Sequence, residues 1–172
     1  GPLPELTPPQ KSALDAIHAS WREKDITLLH GVTSSGKTEI YINLIDYVLR
    51  QGRQALYLVP EIALTTQLTR RLQRFELWRR MLDPREPVVV IGARSALFMP
   101  FSSLGLVIVD EEHESSYKQQ DPAPRYNGRD AAMVLARMHG AKTLLGSATP
   151  AIDTYYKALA GRYGLVELKE SF

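Results

Sequence analysis

Short runs with no polar face recur along this chain: ITLLH (26–30), ALYLV (55–59), PVVVI (87–91) and GLVIV (105–109). A strand that is apolar on both sides has to be covered on both sides, which in a soluble chain means a parallel sheet between two layers of helices. The segments between the runs supply those helices. Thr7-Pro8-Pro9-Gln10 opens the first, with Thr7 as N-cap, Pro8 at N1 and Gln10 at the capping-box position, and Leu14, Ile17 and Trp21 then share one face. A second helix turns Ile40, Tyr41, Leu44, Ile45 and Val48 inward and ends at Gly52. Further helices are expected over 63–74, over 129–139 up to Gly140, and from Pro150 to Ala160, with strands at Lys142–Leu145 and Leu165–Leu168. Right-handed crossovers make this an α/β fold, a three-layer αβα sandwich with a mainly parallel sheet, whose ligands sit at the carboxyl ends of the strands.

One place breaks the alternation. Glu76–Leu82 reads as helix directly after the helix ending near Phe75, with no strand between. The sheet would be one strand short, so a segment is expected to be absent after residue 75. The 172 residues are otherwise the size of one domain. Residues 1–5 read as a cleavage scar and linker, 6–168 as the domain, and 169–172 as a tail.

Composition narrows the partners. A net charge of +2 leans only slightly toward an anionic ligand, and zero cysteines exclude disulfides and thiolate zinc sites. No apolar run approaches the ~20 residues of a membrane span, and no secretory leader is read, so a cytoplasmic protein is expected.

The chemistry begins at GVTSSGKT (31–38), which fits G-x-x-x-x-G-K-[ST] and lies between a strand and a helix, as that motif requires. Gly31, Thr33, Ser34, Ser35 and Gly36 would wrap phosphates with backbone N–H groups, Lys37 would neutralise the β- and γ-phosphates, and the Thr38 hydroxyl would ligate Mg²⁺. The bland alternative is a Gly/Ser turn capping a helix. Asp110-Glu111-Glu112-His113 leaves the end of the GLVIV strand. Beside a P-loop, Asp110 would hold Mg²⁺ and Glu111 would deprotonate the attacking water; the alternative is a strand end turning into solvent, and for Glu112 solvent exposure is the default. GSATP (146–150) reads locally as a turn at Gly146, an N-cap at Thr149 and a proline at N1, but its place after a strand would bring it to the same crevice. Gln10 serves either as a capping residue or, through its amide, as a reader of adenine. Seven arginines between Arg70 and Arg94 form either a solvated face or a phosphate-contacting surface. His18, His30 and His139 are read as structural; His113 lies beside the two acids.

GVTSSGKTEIY, LVPEIALTTQ, GARSALF, DEEHESSYKQQ, RYNGRD and LLGSATP occur here in one order from Leu6 to about Leu168. Together they resemble the PriA family of bacterial replication-restart helicases of superfamily 2, in its first, RecA-like P-loop NTPase lobe with a DEAH-like motif. The resemblance implies ATP and Mg²⁺ as cofactors, with Gln10 on adenine, Lys37, Asp110 and Glu111 as the catalytic set, and no zinc in this part. It implies DNA contacts from Pro60, Glu61, Thr65, Thr66 and Gln67 (motif Ia) and from Gly92, Arg94 and Ser95 (motif Ib). It also implies coupling of the two sites through His113, Ser147 and Thr149, and through an aromatic-rich loop containing Tyr117, Lys118, Arg125 and Tyr126. Single-stranded or forked DNA, the remaining helicase domains, primosome proteins and single-strand-binding proteins are the partners it implies. The chain departs from the family at Ser34, where glycine is usual, at Ala93, where threonine is usual, in the few aromatics of the loop, and in a shorter stretch between motifs Ia and Ib. A second lobe supplying an arginine finger is expected outside this chain, so the lobe alone should hydrolyse ATP very slowly. Two other readings stay open: a small P-loop kinase and a non-catalytic, nucleotide-gated interaction module.

Overall fold

A computed structural model of the chain describes residues 3–31, 34–60, 66, 67, 69–71, 73, 89–113, 117 and 127–169, with backbone alone at 34 and 35. Helix α1 (Pro8–Trp21) starts as its sequence requires: the Thr7 side chain accepts from the Gln10 N–H, and the Gln10 side chain accepts from the Thr7 N–H at 2.9 Å. Strand β1 (Ile26–Gly31) runs into α2 (Ser34–Arg50). The five inward residues expected of α2 are all buried. Gly52, at φ +76°, ends the helix with a Schellman pair: its N–H donates to the Leu49 carbonyl, and the Arg53 N–H donates to the Val48 carbonyl. Strand β2 (Gln54–Leu58), β3 (Val89–Gly92), a 3-10 turn (Arg94–Phe98) and β4 (Leu104–Asp110) follow. Helix α3 (Gly128–His139) is capped by Asn127 and stopped by Gly140 at φ +63°. Strand β5 (Lys142–Ser147), helix α4 (Ile152–Leu159) and strand β6 (Gly164–Leu168) complete the described elements.

The six strands form one sheet in the order β3-β2-β4-β5-β1-β6, every pair parallel. Alternate side chains along each strand enter two separate cores. Leu29, Tyr57, Ile108 and Leu144 pack under α1 and α2; Leu28, Leu58, Val109 and Leu145 pack under α3 and α4. The three-layer αβα sandwich and the RecA-like lobe are therefore as expected. Residues 66, 67, 69–71 and 73 are helical, as expected of 63–74. The second helix at 76–82 and the proposed break after Phe75 lie outside the described residues.

Two local expectations are corrected. Helix α4 begins at Ile152, not Pro150, and its N-cap is Ala151, which offers no side-chain cap. Thr149, expected as that cap, instead turns its hydroxyl to His113, 3.2 Å away. Gly146 makes no turn: it lies inside β5, which extends two residues beyond the expected end.

What requires a glycine at 146 is space. A Cβ there would stand 1.7 Å from the Tyr41 hydroxyl oxygen and 2.9 Å from its Cζ. That hydroxyl passes through the gap to donate to Asp110 Oδ1 at 2.7 Å. Gly146→Ala should therefore cost about 1–3 kcal/mol in urea unfolding, as overpacked cores do. Tyr41→Phe in the same chain should recover part of that loss; no recovery would place the strain elsewhere.

Candidate nucleotide-binding site

The strand order puts β4, β5 and β1 side by side in the middle of the sheet. Their register aligns Asp110 with Gly146, and Ser147 with His30, one residue before Gly31. The ends of the GVTSSGKT, DEEH and SAT strands thus meet at one edge, where an open parallel sheet binds its ligands.

Lys37, on the first turns of α2, is fully buried, and its Nζ lies 3.2 Å from Glu111 Oε1. Its stem lies against Gly31, whose missing side chain leaves the room: a Cβ at 31 would come 3.2 Å from Lys37 Cγ. A buried ammonium needs an anion to offset its lost hydration, and here the Glu111 carboxylate is that anion. Glu111 itself has φ +47°, the left-handed region that is costly for a residue with a side chain. Such a conformation persists only where neighbours hold it, and it turns the carboxylate from the strand toward Lys37.

Asp110 is the last residue of β4. Burial pushes its carboxyl up to about 6, against the opposing pulls of the Tyr41 hydrogen bond and Lys37. The same burial, with Asp110 beside them, raises the Tyr41 and Tyr57 phenols well above their ordinary range. The charge of Asp110 is thus only partly compensated by protein groups. Tyr57 is hydrogen-bonded to Thr38, which places the Thr38 hydroxyl on the same side of the sheet as Asp110. No cluster of three or more His, Cys, Asp or Glu among the described residues would hold a metal by itself. One hydroxyl and one undercompensated carboxylate nevertheless fit Mg²⁺, which takes few protein ligands when phosphates complete its shell.

His113 extends the site to the next strand. Its Nδ1 is 2.6 Å from Ser147 Oγ and 3.7 Å from Glu111 Oε2, and its Nε2 is 3.2 Å from Thr149 Oγ1. Ser147 also accepts from the Thr149 N–H at 3.0 Å. Gln10 meets the P-loop from the other side, donating its amide to the Gly36 carbonyl at 3.1 Å while keeping its capping bond to Thr7. The capping residue of α1 is thus also bonded to the start of α2.

The remaining expected residues divide. Pro60 is buried just past β2, Thr66 and Gln67 are exposed on helical backbone, Gly92 is the last residue of β3, and Arg94 and exposed Ser95 follow it. These lie past the C-terminal ends of the two strands beyond β4. Thr33, Glu61, Thr65, Lys118, Arg125 and Tyr126 lie outside the described residues, as do the side chains of Ser34 and Ser35. Two expectations are corrected. Tyr117, expected in an aromatic-rich loop that couples the two sites, is 1% exposed, and its hydroxyl donates to the Leu58 and Asp110 carbonyls. It anchors two strand ends from within the core. Glu112, expected in solvent, has a fully buried side chain. Its Oε1 accepts from the Ala151 N–H at 2.7 Å, and its Oε2 accepts from Thr154 Oγ1 at 2.9 Å and Arg129 Nη1 at 3.1 Å. Sequence held one clue to this: Arg129 is basic in the first turn of a helix, where the macrodipole disfavours it unless a buried acid answers.

The raised Asp110 carboxyl has a measurable consequence. Well below pH 3.8 it is protonated in folded and unfolded chain alike. Between 3.8 and about 6 the unfolded chain ionises first, so stability falls as pH rises, and above 6 the full cost is present. In magnesium-free buffer, Asp110→Asn should match wild type well below pH 3.8 and gain on the order of 1–3 kcal/mol above pH 6. Denaturant melts across that range check it; a constant difference would show that Asp110 ionises unopposed.

Comparison with known proteins agrees with this geometry. Residues 7–158 match the DEAD/DEAH box helicase family. The chain is 43% identical over 188 positions to the replication restart protein PriA of Bacillus subtilis, a match that takes in 98% of this chain and 23% of that protein. It is 44% identical to PriA of Rickettsia felis, over 96% of this chain and 28% of the relative, and 45% identical to PriA of Haemophilus influenzae, over 81% and 21%. The chain therefore spans about a quarter of the length of these curated relatives. Among solved structures, the fold is similar to the ATP-dependent Type ISP restriction-modification enzyme LlaBIII bound to DNA, at a TM-score of 0.58 and 17% identity over 86% of this chain and 13% of that one. It is also similar to the DUF1998 helicase MrfA bound to DNA and AMPPNP, at 0.54 and 19% over 96% and 27%. With its P-loop lysine and DEEH acids meeting at one sheet edge, the chain belongs to the DEAD/DEAH box helicase family and is a first helicase lobe similar to that of PriA.

Proposed function

We propose that this chain is the ATP-binding lobe of a 3′→5′ DNA helicase, working in replication restart in the cytoplasm, which couples ATP hydrolysis to single-strand translocation and duplex unwinding. The observation that carries this reading is the line of contacts Lys37–Glu111–His113–Ser147–Thr149. It runs from the phosphate-binding lysine to the turn after the neighbouring strand. A lobe that only bound nucleotide would not need a carboxylate and an imidazole joined to that turn. Glu111 at the lysine also favours hydrolysis over kinase chemistry, because a base poised for water spends the γ-phosphoryl group.

In this reading bound Mg·ATP supplies the phosphoryl group and the cation that neutralises its charge. Lys37 holds the β- and γ-phosphates, with Gln10 at the adenine end and the backbone from Gly31 to Gly36 around the phosphates. Asp110 and Thr38 hold the cation. Glu111 takes the proton of the attacking water, and the displacement of its carboxylate moves His113, whose ring is shared with Ser147 and Thr149. DNA runs along the ends of β2 and β3, past Pro60, Thr66, Gln67, Gly92, Arg94 and Ser95, with Glu61 and Thr65 nearby in sequence; Lys118, Arg125 and Tyr126, between β4 and α3 in the sequence, are proposed as further contacts. Single-stranded or forked DNA, the other helicase domains, primosome proteins and single-strand-binding proteins are the proposed partners. No helix of the described residues is long and apolar enough to cross a membrane.

The match to the Bacillus subtilis protein supports an omission within the lobe. It covers 188 positions, yet 98% of 172 residues is about 169, leaving about 19 positions of the match without a residue here. The break after Phe75 is the proposed place.

In the full parent chain, Lys37→Ala should weaken ATP binding about 10- to 100-fold, the worth of a charge-assisted contact. Glu111→Gln should keep binding and lower DNA-stimulated hydrolysis by about 10²–10⁴-fold, the usual contribution of a general base. Hydrolysis that DNA leaves unchanged would defeat the helicase reading. The lobe by itself should turn over ATP about 10³–10⁵-fold more slowly than the parent, for want of an arginine finger from the second lobe; a steady-state assay of both chains measures it.

A further inference from the structure

Glu112 and Arg129 take no part in the line of contacts described above, yet they form the most deeply buried ion pair among the described residues, with 0% and 10% of their side chains exposed. We propose that this pair is a positioning device, which holds the backbone of Glu111 in its left-handed conformation against the turn after β5 and so sets the rate of hydrolysis. The inference rests on the helicase reading given above.

Four observations support it. Glu112 is bonded at both ends: its N–H donates to the Gly146 carbonyl at 3.1 Å, and its carboxylate receives the three donors of α3 and α4. A residue so fixed cannot rotate, so the strained residue before it is held in place. Helix α4 begins without a side-chain cap of its own, and the Glu112 carboxylate caps it from 39 residues away. Negative charge at that end is favoured by the helix dipole, and it ties the start of α4, immediately after Ser147-Ala148-Thr149, to the residue following Glu111. Arg129 completes the clamp. Burial opposes its charge, but the hydrogen bond it donates to Glu112 and the charges of Asp130, Asp153 and Glu112 more than offset this. Its Nη1 also donates to Thr154 and its Nη2 to Asp153, both on α4. Lastly, Glu112 and Arg129 are 17 residues apart in the sequence, so their contact joins the turn after β4 to the start of α3.

A buried ion pair of this kind adds little net stability but is costly to break from one side. Here what it supplies is position: small displacements of a reacting group can cost up to about 100-fold in rate without loss of binding.

The test uses the full parent chain with forked DNA, comparing wild type, Glu112→Gln and Arg129→Lys. Gln keeps the size and can still accept from Ala151, but it turns an N–H group toward the guanidinium. The expected result is a fall in kcat of about 10- to 100-fold, with ATP-analogue affinity within about twofold of wild type, since Lys37 and Gln10 are untouched. Arg129→Lys keeps a cation and should fall between the two. In Glu112→Gln/Arg129→Gln the two losses should not add, because either one releases the clamp. Wild-type kcat in Glu112→Gln overturns the proposal. So does a loss of ATP binding and rate in equal proportion, or failure of both single variants to fold, because each would assign the pair to stability alone. Absence of DNA-stimulated hydrolysis in wild type would remove the helicase reading, and this inference with it.

Discussion

Strand β5 pairs in parallel with β4 on one side and β1 on the other, and that double register is what the site depends on. Shifting either pairing by one residue would turn every side chain of a strand to the opposite face. Leu144 and Leu145 would exchange cores, and Ser147 would point away from His113. The hydrophobic demand of two separate cores thus fixes the chemistry at the strand ends. Gly146 belongs to the same constraint, since the Tyr41 hydroxyl can reach Asp110 only where the intervening strand has no side chain.

Three carboxylates leave β4 in succession, and the fold separates them by giving each its own surroundings. Asp110 stays in the line of the strand, where burial raises its carboxyl against the pulls of Tyr41 and Lys37. Glu111 takes a left-handed backbone and turns to Lys37. Glu112 goes down into the protein, where an arginine, a threonine and a backbone N–H enclose it. Like charges in adjacent positions would repel if they shared one environment. Divided among a buried tyrosine, a P-loop lysine and a helix start, they become the framework of the site.

The strand and helix pattern could be read from the sequence because it follows from local rules. Apolar runs, the Thr7–Gln10 capping box, and glycines at 52 and 140 each act within a few residues, and the structure places them as those rules require. The P-loop and Asp110-Glu111 could be read for a similar reason: their spacing and strand–turn–helix setting hold the chemistry within a short stretch. Thr149 illustrates the limit. Its local pattern reads as a helix cap, but its hydroxyl is instead paired with His113, in the turn after β4.

The sequence alone therefore determined the layers, the order of the strands along the chain and the placing of the P-loop and Asp110-Glu111 at strand ends, because periodicity and motif spacing are local properties. Only the tertiary structure decided that Glu112 is buried rather than solvated, that Tyr117 is an anchor rather than an exposed ring, and that Gly146 is a gap rather than a turn. Each of those outcomes rests on a partner between 7 and 105 positions away. No local preference of a glutamate, tyrosine or glycine reveals which distant group the packing will bring to it.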